Sequence, residues 1–485
     1  MTTKMPSSRD FQILLGILLL ALGLRLWGLN APLWYDEILT LETHIRLPWD
    51  EMMQTYSMNH HYLYSIQAKL SVAIFGESAW AIRLPAMIFG VASIGAVWCL
   101  AKQIAGRNIA HITALLLAVS FHHIWFSQNA RGYSELAFWS TTGMVLFLRG
   151  LKMPSIKVWL GYAACLSLAV ATHLTGVFFF FAQGLVWLVI AVANIRTLGV
   201  RAPVIAMPAI AFLAGGLAAL LFYTPIISDV LQVANTVSET SSVDVMKEYQ
   251  SPLWSVLEAV RTTIGSLGPL VGIVAAITIA LVILGGRTIW SDGKLFPIVV
   301  LLHIVLTMVL LTALGMRIWP RFFFVDIGFL MLLIVLGVGY AVRLFSDVVE
   351  AVPNKALYTA AIAAMVVISC GLASRNYSAP KQNLAGAYEY VEATRMANDR
   401  IFAVGTGADI FGGHFAADWG VIGSDEQLSE ALARPGSVHL VVIFPARHFR
   451  AIPLMDQLVE DGEIEVSKRF SGTLGDGNVL VLRRP

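Results

Sequence analysis

The sequence contains few cysteines and few charged residues, and both scarcities narrow the class of protein. Only three cysteines occur, Cys99, Cys165 and Cys370. Each lies inside an apolar run and none forms a CxxC pair, so neither a disulfide framework nor a cysteine metal site is predicted. Charged residues make up 13% of the chain against 57% hydrophobic residues, and the mean hydropathy is +0.72. This balance predicts a polytopic membrane protein, and the net charge of +2 gives no indication of nucleic-acid binding.

Several other signatures are missing as well. The chain has no internal repeat and no low-complexity segment. No DxD nucleotide-sugar motif is evident on a soluble segment, which disfavours a cytosolic nucleotide donor. The glycines between Gly405 and His414 lack the full GxGxxG spacing, and turns after a strand explain them better. The first apolar run is too long for a removable signal peptide and lacks a small-residue cleavage site.

Long apolar runs are what the sequence has in abundance. Windows of about 17–22 apolar residues predict about eleven membrane spans, with a possible maximum of 13. The predicted spans cover residues 11–29, 83–101, 109–126, 133–149, 157–172, 174–194, 203–223, 267–286, 295–315, 322–342 and 356–373. Alternate short connections are all basic, so the positive-inside rule predicts a cytoplasmic N-terminus. With that count, Asp36, the loop 224–262 and the C-terminus lie outside.

The composition changes near Ser374, which predicts two domains. Residues 1–374 form the predicted transmembrane domain, with outer loops 30–82 and 224–262, and residues 375–485 hold nearly half of the 31 acidic residues. Within the first loop, residues 48–82 suit amphipathic helices lying on the membrane, and loop 224–262 is long enough for a lid or an acceptor platform. Strands that alternate with helices predict a small soluble α/β domain at the C-terminal end. The candidate strands are Arg400–Val404, Val438–Phe444, Glu463–Phe470 and Asn478–Leu482, and the candidate helices are Asn383–Arg395, Asp425–Ala433 and Ile452–Glu460.

Two adjacent carboxylates, Asp36 and Glu37, follow the first predicted span directly and are preceded by Trp34 and Tyr35. A carboxylate at the membrane surface can accept the proton of a hydroxyl group as that group attacks an electrophile. The structural alternative is that Asp36 caps a helix beginning at Glu37. Capping does not exclude catalysis, so both interpretations stay open.

Arginines and histidines cluster at the same predicted face. The arginines are Arg25, Arg83, Arg131, Arg317 and Arg321, and the histidines are His60, His61, His122, His123 and His173. A single arginine at a span end can simply extend to the interface, and Arg131 can pair with Glu135 four residues on. Five arginines beside an acidic pair favour an anion site, because a guanidinium group binds phosphate through two parallel hydrogen bonds. Histidines beside carboxylates can bind a metal, but no spacing here is diagnostic of a metal site, and hydrogen bonding to substrate or backbone is the favoured interpretation.

Several ordered sequence blocks resemble a known family. The blocks are Leu24–Leu29 with Leu33–Glu37, Asn59–Tyr64 with Phe75–Ser78 and Ile82–Pro85, Phe126–Tyr133, Ala171–His173 and Arg321–Phe323. Together they are similar to bacterial membrane glycosyltransferases with the GT-C fold, related to protein O-mannosyltransferases and lipid A aminoarabinose transferases. The resemblance covers about the first 200 residues well and residues 317–340 loosely. It departs at His60-His61-Tyr62, where relatives often read His-Pro-Pro.

The resemblance implies a GT-C membrane domain whose donor is a sugar on a polyprenyl phosphate. It implies that Asp36 is the base, that Glu37 supports it, and that inversion occurs in a single displacement. The implied ligands of the lipid phosphate and sugar are Arg83, Arg131, Arg25, Arg321, Tyr133, His60 and His173. No metal or other cofactor is expected. The expected partners are membrane lipids, the lipid-linked donor and an envelope acceptor, at the outer face of a bacterial inner membrane.

Two other functions remain open. A glycolipid transporter or flippase would bind its substrate near the bilayer midplane, whereas the polar groups here gather at one face. A non-catalytic assembly factor would use the α/β domain as its binding module. Retention of function in an Asp36→Asn variant would favour this third interpretation.

Overall fold

The computed structural model describes residues 8–57, 59–232, 251, 270–348 and 353–485. Helices dominate the described residues before residue 375. They are α1 Ser8–Leu26, α2 Tyr35–Thr40, α3 Trp49–Gln54, α4 Tyr62–Phe75, α5 Ala79–Ala105, α6 Arg107–Ala118, α7 Phe121–Ser127, α8 Tyr133–Lys152, α9 Ile156–Thr172, α10 Gly176–Leu198, α11 Pro203–Tyr223, α12 Leu270–Thr288, α13 Trp290–Gly293, α14 Leu295–Ala313, α15 Ile327–Val348 and α16 Asn354–Ala373. Within the described residues, every predicted span coincides with a helix or a consecutive pair of helical elements, which confirms the predicted mostly helical fold.

The described helices differ in how well they suit a membrane. Six are long and apolar enough to cross one, and a seventh candidate is the pair α6 and α7, which is bent by 64°. The six cover Ala79–Ala105, Gly176–Leu198, Pro203–Gln232, Leu295–Ala313, Pro320–Asp347 and Asn354–Ser378. A multi-pass membrane protein follows from these lengths, and the predicted count of about eleven crossings stays a prediction.

Close backbone approach joins two of the late helices. Gly285 on α12 faces the carbonyl group of Leu333 on α15, and Gly337 on α15 faces that of Leu281 on α12. A Cβ atom at either glycine would overlap the facing backbone. Small residues at helix contacts allow this approach inside membranes, where van der Waals packing holds the helices together.

The two predicted outer loops differ in how much of them the structure describes. Between α1 and α5 the chain forms α2, a π-helical turn over Leu41–Ile45, α3 and α4, and α3 and α4 lie within residues 48–82, where helices are predicted. We call residues 33–37, at the start of this region, the acidic loop. In the second loop a 3₁₀ turn covers Thr224–Ile226, whereas residues 233–250 and 252–269 lie outside the described residues. The predicted lid or acceptor platform therefore stays a prediction.

The C-terminal region forms the predicted small α/β fold. Five strands are present, β1 Arg400–Val404, β2 Gly420–Ile422, β3 Val438–Ile443, β4 Glu465–Phe470 and β5 Val479–Arg484, in the order β2-β1-β3-β5-β4. The strands β2, β1 and β3 are parallel, and β5 pairs antiparallel with both β3 and β4. The helices are α17 Arg375–Ser378, α18 Leu384–Thr394, α19 Asp425–Ala433, α20 Pro445–Ala451 and α21 Pro453–Glu460. Three short elements, β2, α17 and α20, were not predicted from the sequence. The domain boundary at residues 374/375 stays a prediction.

The sheet region packs directly on the acidic loop and the residues that follow it. Tyr35 contacts Phe444, which follows β3, with the ring centroids 5.2 Å apart. Ile38 is buried in one apolar cluster with residues of α18, β1 and β3. His414 Nδ1 lies 2.6 Å from Glu42 Oε1. The carboxyl end of the parallel strand β3 therefore covers the segment that carries the two acids.

Candidate active site

Glu37 is enclosed and is bound by Arg83. Arg83 Nε donates to Glu37 Oε1 at 2.7 Å, and Nη2 donates to Oε2 at 2.6 Å. The same guanidinium group also donates to the backbone carbonyls of Leu29, Ala31 and Pro32 at 2.8, 2.7 and 3.1 Å. The side chains of Arg83 and Glu37 are 1% and 0% exposed. This bidentate pair, the strong geometry for arginine and carboxylate, fastens the acidic loop to the start of α5.

The surroundings of Glu37 favour its ionised form. Burial raises the pKa of the carboxyl group, but the charges of Arg83 and Lys381, with hydrogen bonds from Arg83 and from the backbone N–H of Ala130, outweigh it and lower the pKa below its ordinary value. The Ala130 N–H donates to Oε1 at 2.7 Å. Glu37 is therefore a structural anion that holds the loop in place.

This geometry bears on the predicted role of Arg83. The guanidinium group has five N–H donors, and five hydrogen bonds to Glu37 and three carbonyl groups occupy them. A lipid phosphate would have to displace these contacts. The predicted phosphate-binding role of Arg83 therefore does not fit this arrangement, because all its donors are used within the protein.

Asp36 lies on the more open side of the acidic loop, between two other arginines. Its Oδ2 atom accepts a hydrogen bond from Arg321 Nη1 at 3.1 Å and lies 3.5 Å from Arg131 Nη1. The side chain of Asp36 is 14% exposed, that of Arg321 31% and that of Arg131 3%. One carboxylate and two guanidinium groups thus meet where solvent can reach them.

Asn59 connects this group to the loop backbone. Its Nδ2 atom donates to the Asp36 carbonyl oxygen at 3.1 Å and to Thr40 Oγ1 at 3.2 Å. Its Oδ1 atom accepts a hydrogen bond from Arg131 Nη1. Asn59 therefore fixes Arg131 relative to Asp36. It stands within one of the sequence blocks that carry the family resemblance, but nothing in the sequence indicated that it bridges these two residues.

The predicted aromatic and histidine ligands surround Arg131. Arg131 lies over the Tyr133 ring at 5.9 Å, His61 contacts both Tyr133 and His173, and His60 stacks on His44 with centroids 3.8 Å apart. Burial, reinforced by the Arg131 charge, lowers the pKa of His60 to about 4 and that of His173 to about 3. Neutral imidazoles can accept hydrogen bonds from sugar hydroxyl groups.

Four buried nitrogens around Arg131 lack a hydrogen-bond partner among the described residues. They are Arg131 Nε, His44 Nδ1, His60 Nε2 and His61 Nε2. Buried polar atoms are normally paired, so unpaired atoms next to a carboxylate indicate a binding site. Among the described residues, no group of three or more His, Cys, Asp and Glu side chains is placed to hold a metal ion.

Arg25 lies apart from this cluster, inside the helix packing. It donates to Ala21 O, Ala118 O and Ser127 Oγ at 2.9–3.1 Å, and its Nη2 lies 2.8 Å from His123 Nδ1. The side chain is fully buried. The predicted substrate contact of Arg25 therefore does not fit, because these bonds tie α1 to the bent pair α6 and α7.

Two local alternatives from the sequence are wrong. Helix α2 begins at Tyr35, so Asp36 is not its N-cap, and the Glu37 carboxylate instead accepts the Trp34 N–H at 3.3 Å. The expected partner of Arg131, Glu135, accepts hydrogen bonds from Gln67 and Trp139 at 2.8 and 3.1 Å. Arg131 is thereby directed to Asp36.

Comparisons with known proteins agree with this fold. The family profile described as dolichyl-phosphate-mannose-protein mannosyltransferase matches residues 60–227. No curated protein sequence matches the chain significantly. Among solved structures, ArnT from Cupriavidus metallidurans in the apo state has a TM-score of 0.53 at 13% identity, covering 97% of both chains. The same protein bound to undecaprenyl phosphate gives 0.52 at 13% identity, covering 98% of both chains.

A third similar structure comes from an archaeon. The oligosaccharyltransferase of Archaeoglobus fulgidus, tethered to an acceptor peptide, has a TM-score of 0.50 at 12% identity and covers 90% of this chain and 69% of that chain. At such identities the likeness shows the fold alone. The GT-C fold predicted from the sequence blocks is confirmed.

The chain therefore has the GT-C fold found in these membrane glycosyltransferases. Over residues 60–227 it is similar to the dolichyl-phosphate-mannose-protein mannosyltransferases. The predicted resemblance is thereby confirmed at the level of the superfamily.

Proposed function

We propose that the protein transfers a sugar from a polyprenyl-phosphate donor to an envelope acceptor at the outer face of a bacterial inner membrane. The observation that carries this proposal is the position of Asp36 between Arg131 and Arg321. A base for the acceptor and two cations for a departing phosphate are the groups that such a transfer needs.

The reaction is a single displacement at the anomeric carbon. Asp36 accepts the proton of an acceptor hydroxyl group, and the freed oxygen forms a bond to the anomeric carbon. The bond between that carbon and the phosphate oxygen breaks, and its electron pair leaves with the polyprenyl phosphate. Attack from the face opposite the phosphate inverts the configuration.

The four arginines have two different roles, stabilising the leaving phosphate or holding the structure around the site. Arg321 is the most accessible of the four predicted phosphate ligands, and Arg131 lies beside it across Asp36. Both supply positive charge where the leaving phosphate gains negative charge. Arg25 and Arg83 keep the helices and the loop in place. His60, His173 and Tyr133 line the donor-sugar side, and the step needs no metal.

Solved relatives support the lipid donor. ArnT from Cupriavidus metallidurans binds undecaprenyl phosphate. A phosphate carried on a lipid reaches only the interface region, and the polar cluster includes Tyr133, the first residue of α8, and His173, which directly follows α9. A transporter would instead need its polar site near the bilayer midplane.

The test compares envelope lipids of a deletion strain carrying wild type, Asp36→Asn or Asp50→Asn. Asp50 is an exposed acid on α3 in the same outer region and serves as the matched control. We expect Asp36→Asn alone to accumulate a polyprenyl-phosphate sugar and to lose a glycan residue of equal mass, measured by mass spectrometry. Unchanged lipids and glycans, with the variant present at the normal level, would contradict the role of Asp36 and favour transport or scaffolding.

A further inference from the structure

Lys381, in the segment between α17 and α18, contacts the acidic loop at Glu37. Its Nζ atom lies 3.9 Å from Glu37 Oε1 and donates a hydrogen bond to the Gln128 carbonyl oxygen. The ammonium group also lies over the Trp125 ring, 5.3 Å from its centroid. The side chain is only 11% exposed. Lys381 is therefore a second cation on Glu37, in addition to Arg83.

The next residue holds the other end of the loop. Gln382 is fully buried, and its Oε1 atom accepts the backbone N–H of Tyr35 at 3.2 Å. Tyr35 is the first residue of α2, where a helix leaves its N–H groups without internal partners. Consecutive residues of one segment thus bind the residue before Asp36 and the residue after it.

We propose that Lys381 and Gln382 are positioning residues that hold Asp36 in its reactive orientation. The inference rests on the proposed function. Both residues lie outside residues 60–227, so the family match assigns them nothing. The segment that leads into the C-terminal α/β region thereby completes the active site.

The need for such contacts follows from the size of α2. The helix has six residues, and isolated helices shorter than about 12 residues are marginal in water. Its geometry must therefore come from tertiary contacts. Glu37 supplies one anchor through Arg83 and Ala130, and Lys381 and Gln382 supply two more. A displacement of about 1 Å at a reacting group can cost about 100-fold in rate.

The charge of Lys381 is sensitive to pH near neutrality. Burial lowers its pKa to about 7, although Glu37 opposes this effect, and Arg83 adds to the decrease. A cavity of about 270 Å³ beside it, lined by Trp27, Arg83 and Thr473 among others, gives room for water. The charged groups that face Lys381 are Glu37 and Arg83. Its positive charge is present below about pH 7 and is lost as the pH rises through that value.

The experiment uses the purified full-length protein and the lipid extract of the deletion strain, with envelope extract as acceptor. Release of polyprenyl phosphate is followed by mass spectrometry for Lys381→Met and Gln382→Met. Lys468→Met and Gln427→Met are the matched controls. Like Lys381, Lys468 lies over an aromatic ring, and like Gln382, Gln427 accepts a backbone N–H. Lys468 lies in β4 and Gln427 in α19. We expect the maximum rate to fall about 10- to 100-fold in both test variants, with the half-saturating lipid amount unchanged. A normal maximum rate in both would overturn the proposal.

The pH profile gives a second, independent readout. The maximum rate of the wild type should fall above about pH 7, and Lys381→Arg should move that fall to higher pH, because a guanidinium group stays charged. A profile that does not move contradicts the role of the Lys381 charge, even if Lys381→Met does not fold. A wild type that releases no polyprenyl phosphate contradicts the proposed function itself, which separates the two failures.

Discussion

Asp36 and Glu37 are neighbours in the sequence, yet their carboxylates have opposite surroundings. Glu37 is fully buried and bound by Arg83, Lys381 and two backbone N–H groups, whereas Asp36 is partly exposed and contacts Arg131 and Arg321. Both acids carry a carboxylate, and both carboxylates contact arginine side chains. What differs is whether the hydrogen-bonding capacity is used up inside the protein, and this difference separates a structural acid from one that can react.

The largest expected effect lies on the Asp36 side. Asp36→Asn keeps the size of the side chain and removes the base, so we expect the transfer rate to fall about 100- to 10,000-fold. The free energy of unfolding should stay near that of the wild type. If Asp36→Asn lowered the transfer rate and the free energy of unfolding together, Asp36 would be a structural acid like Glu37.

The next effect is expected on the Glu37 side. Arg83→Met leaves a buried carboxylate without its bidentate partner, and breaking such a pair costs about 3–5 kcal/mol of stability. Titration with a denaturing detergent measures the loss, and adding Glu37→Gln should recover part of it. A stable Arg83→Met variant with lost donor binding would restore the phosphate-binding role for Arg83.

A smaller effect is expected at Arg321. Arg321→Ala should lower the transfer rate about 100-fold, because one donor to the developing phosphate charge is lost. Arg321→Lys keeps the charge without the planar fork and should recover only part of the rate. Equal rates for wild type and Arg321→Ala would assign the leaving-group contact to Arg131 alone.

The smallest effect is expected at an exposed pair in the same outer region. Arg46 contacts Glu42 and Glu77 at 2.6 and 2.7 Å with a side chain that is 41% exposed. Arg46→Met should change the free energy of unfolding by less than about 1 kcal/mol, because solvent screens such pairs. A loss as large as that of Arg83→Met would show that burial does not decide the strength of these contacts.

The sequence predicted the helical segments and most of the small sheet, because hydrophobicity and strand alternation are local signals. The predicted topology also placed Asp36, Arg131 and Arg321 at the same face of the membrane. It did not identify their partners. Arg83 binds Glu37 across 46 positions of sequence, and Arg25 contacts His123 across 98 positions. Lys381 lies in a short connection between two helices, where the sequence shows no motif. Such pairings depend on how the helices pack, which no local pattern records.

The sequence distance between Asp36 and Arg321 is 285 positions. Chains are synthesised from the N-terminus, so the acid leaves the ribosome long before its partner. Lys381 and Gln382 follow later still. The acidic loop is therefore synthesised well before the residues that contact it from the late part of the chain, so these contacts can form only after the last described helices of the membrane region have been made.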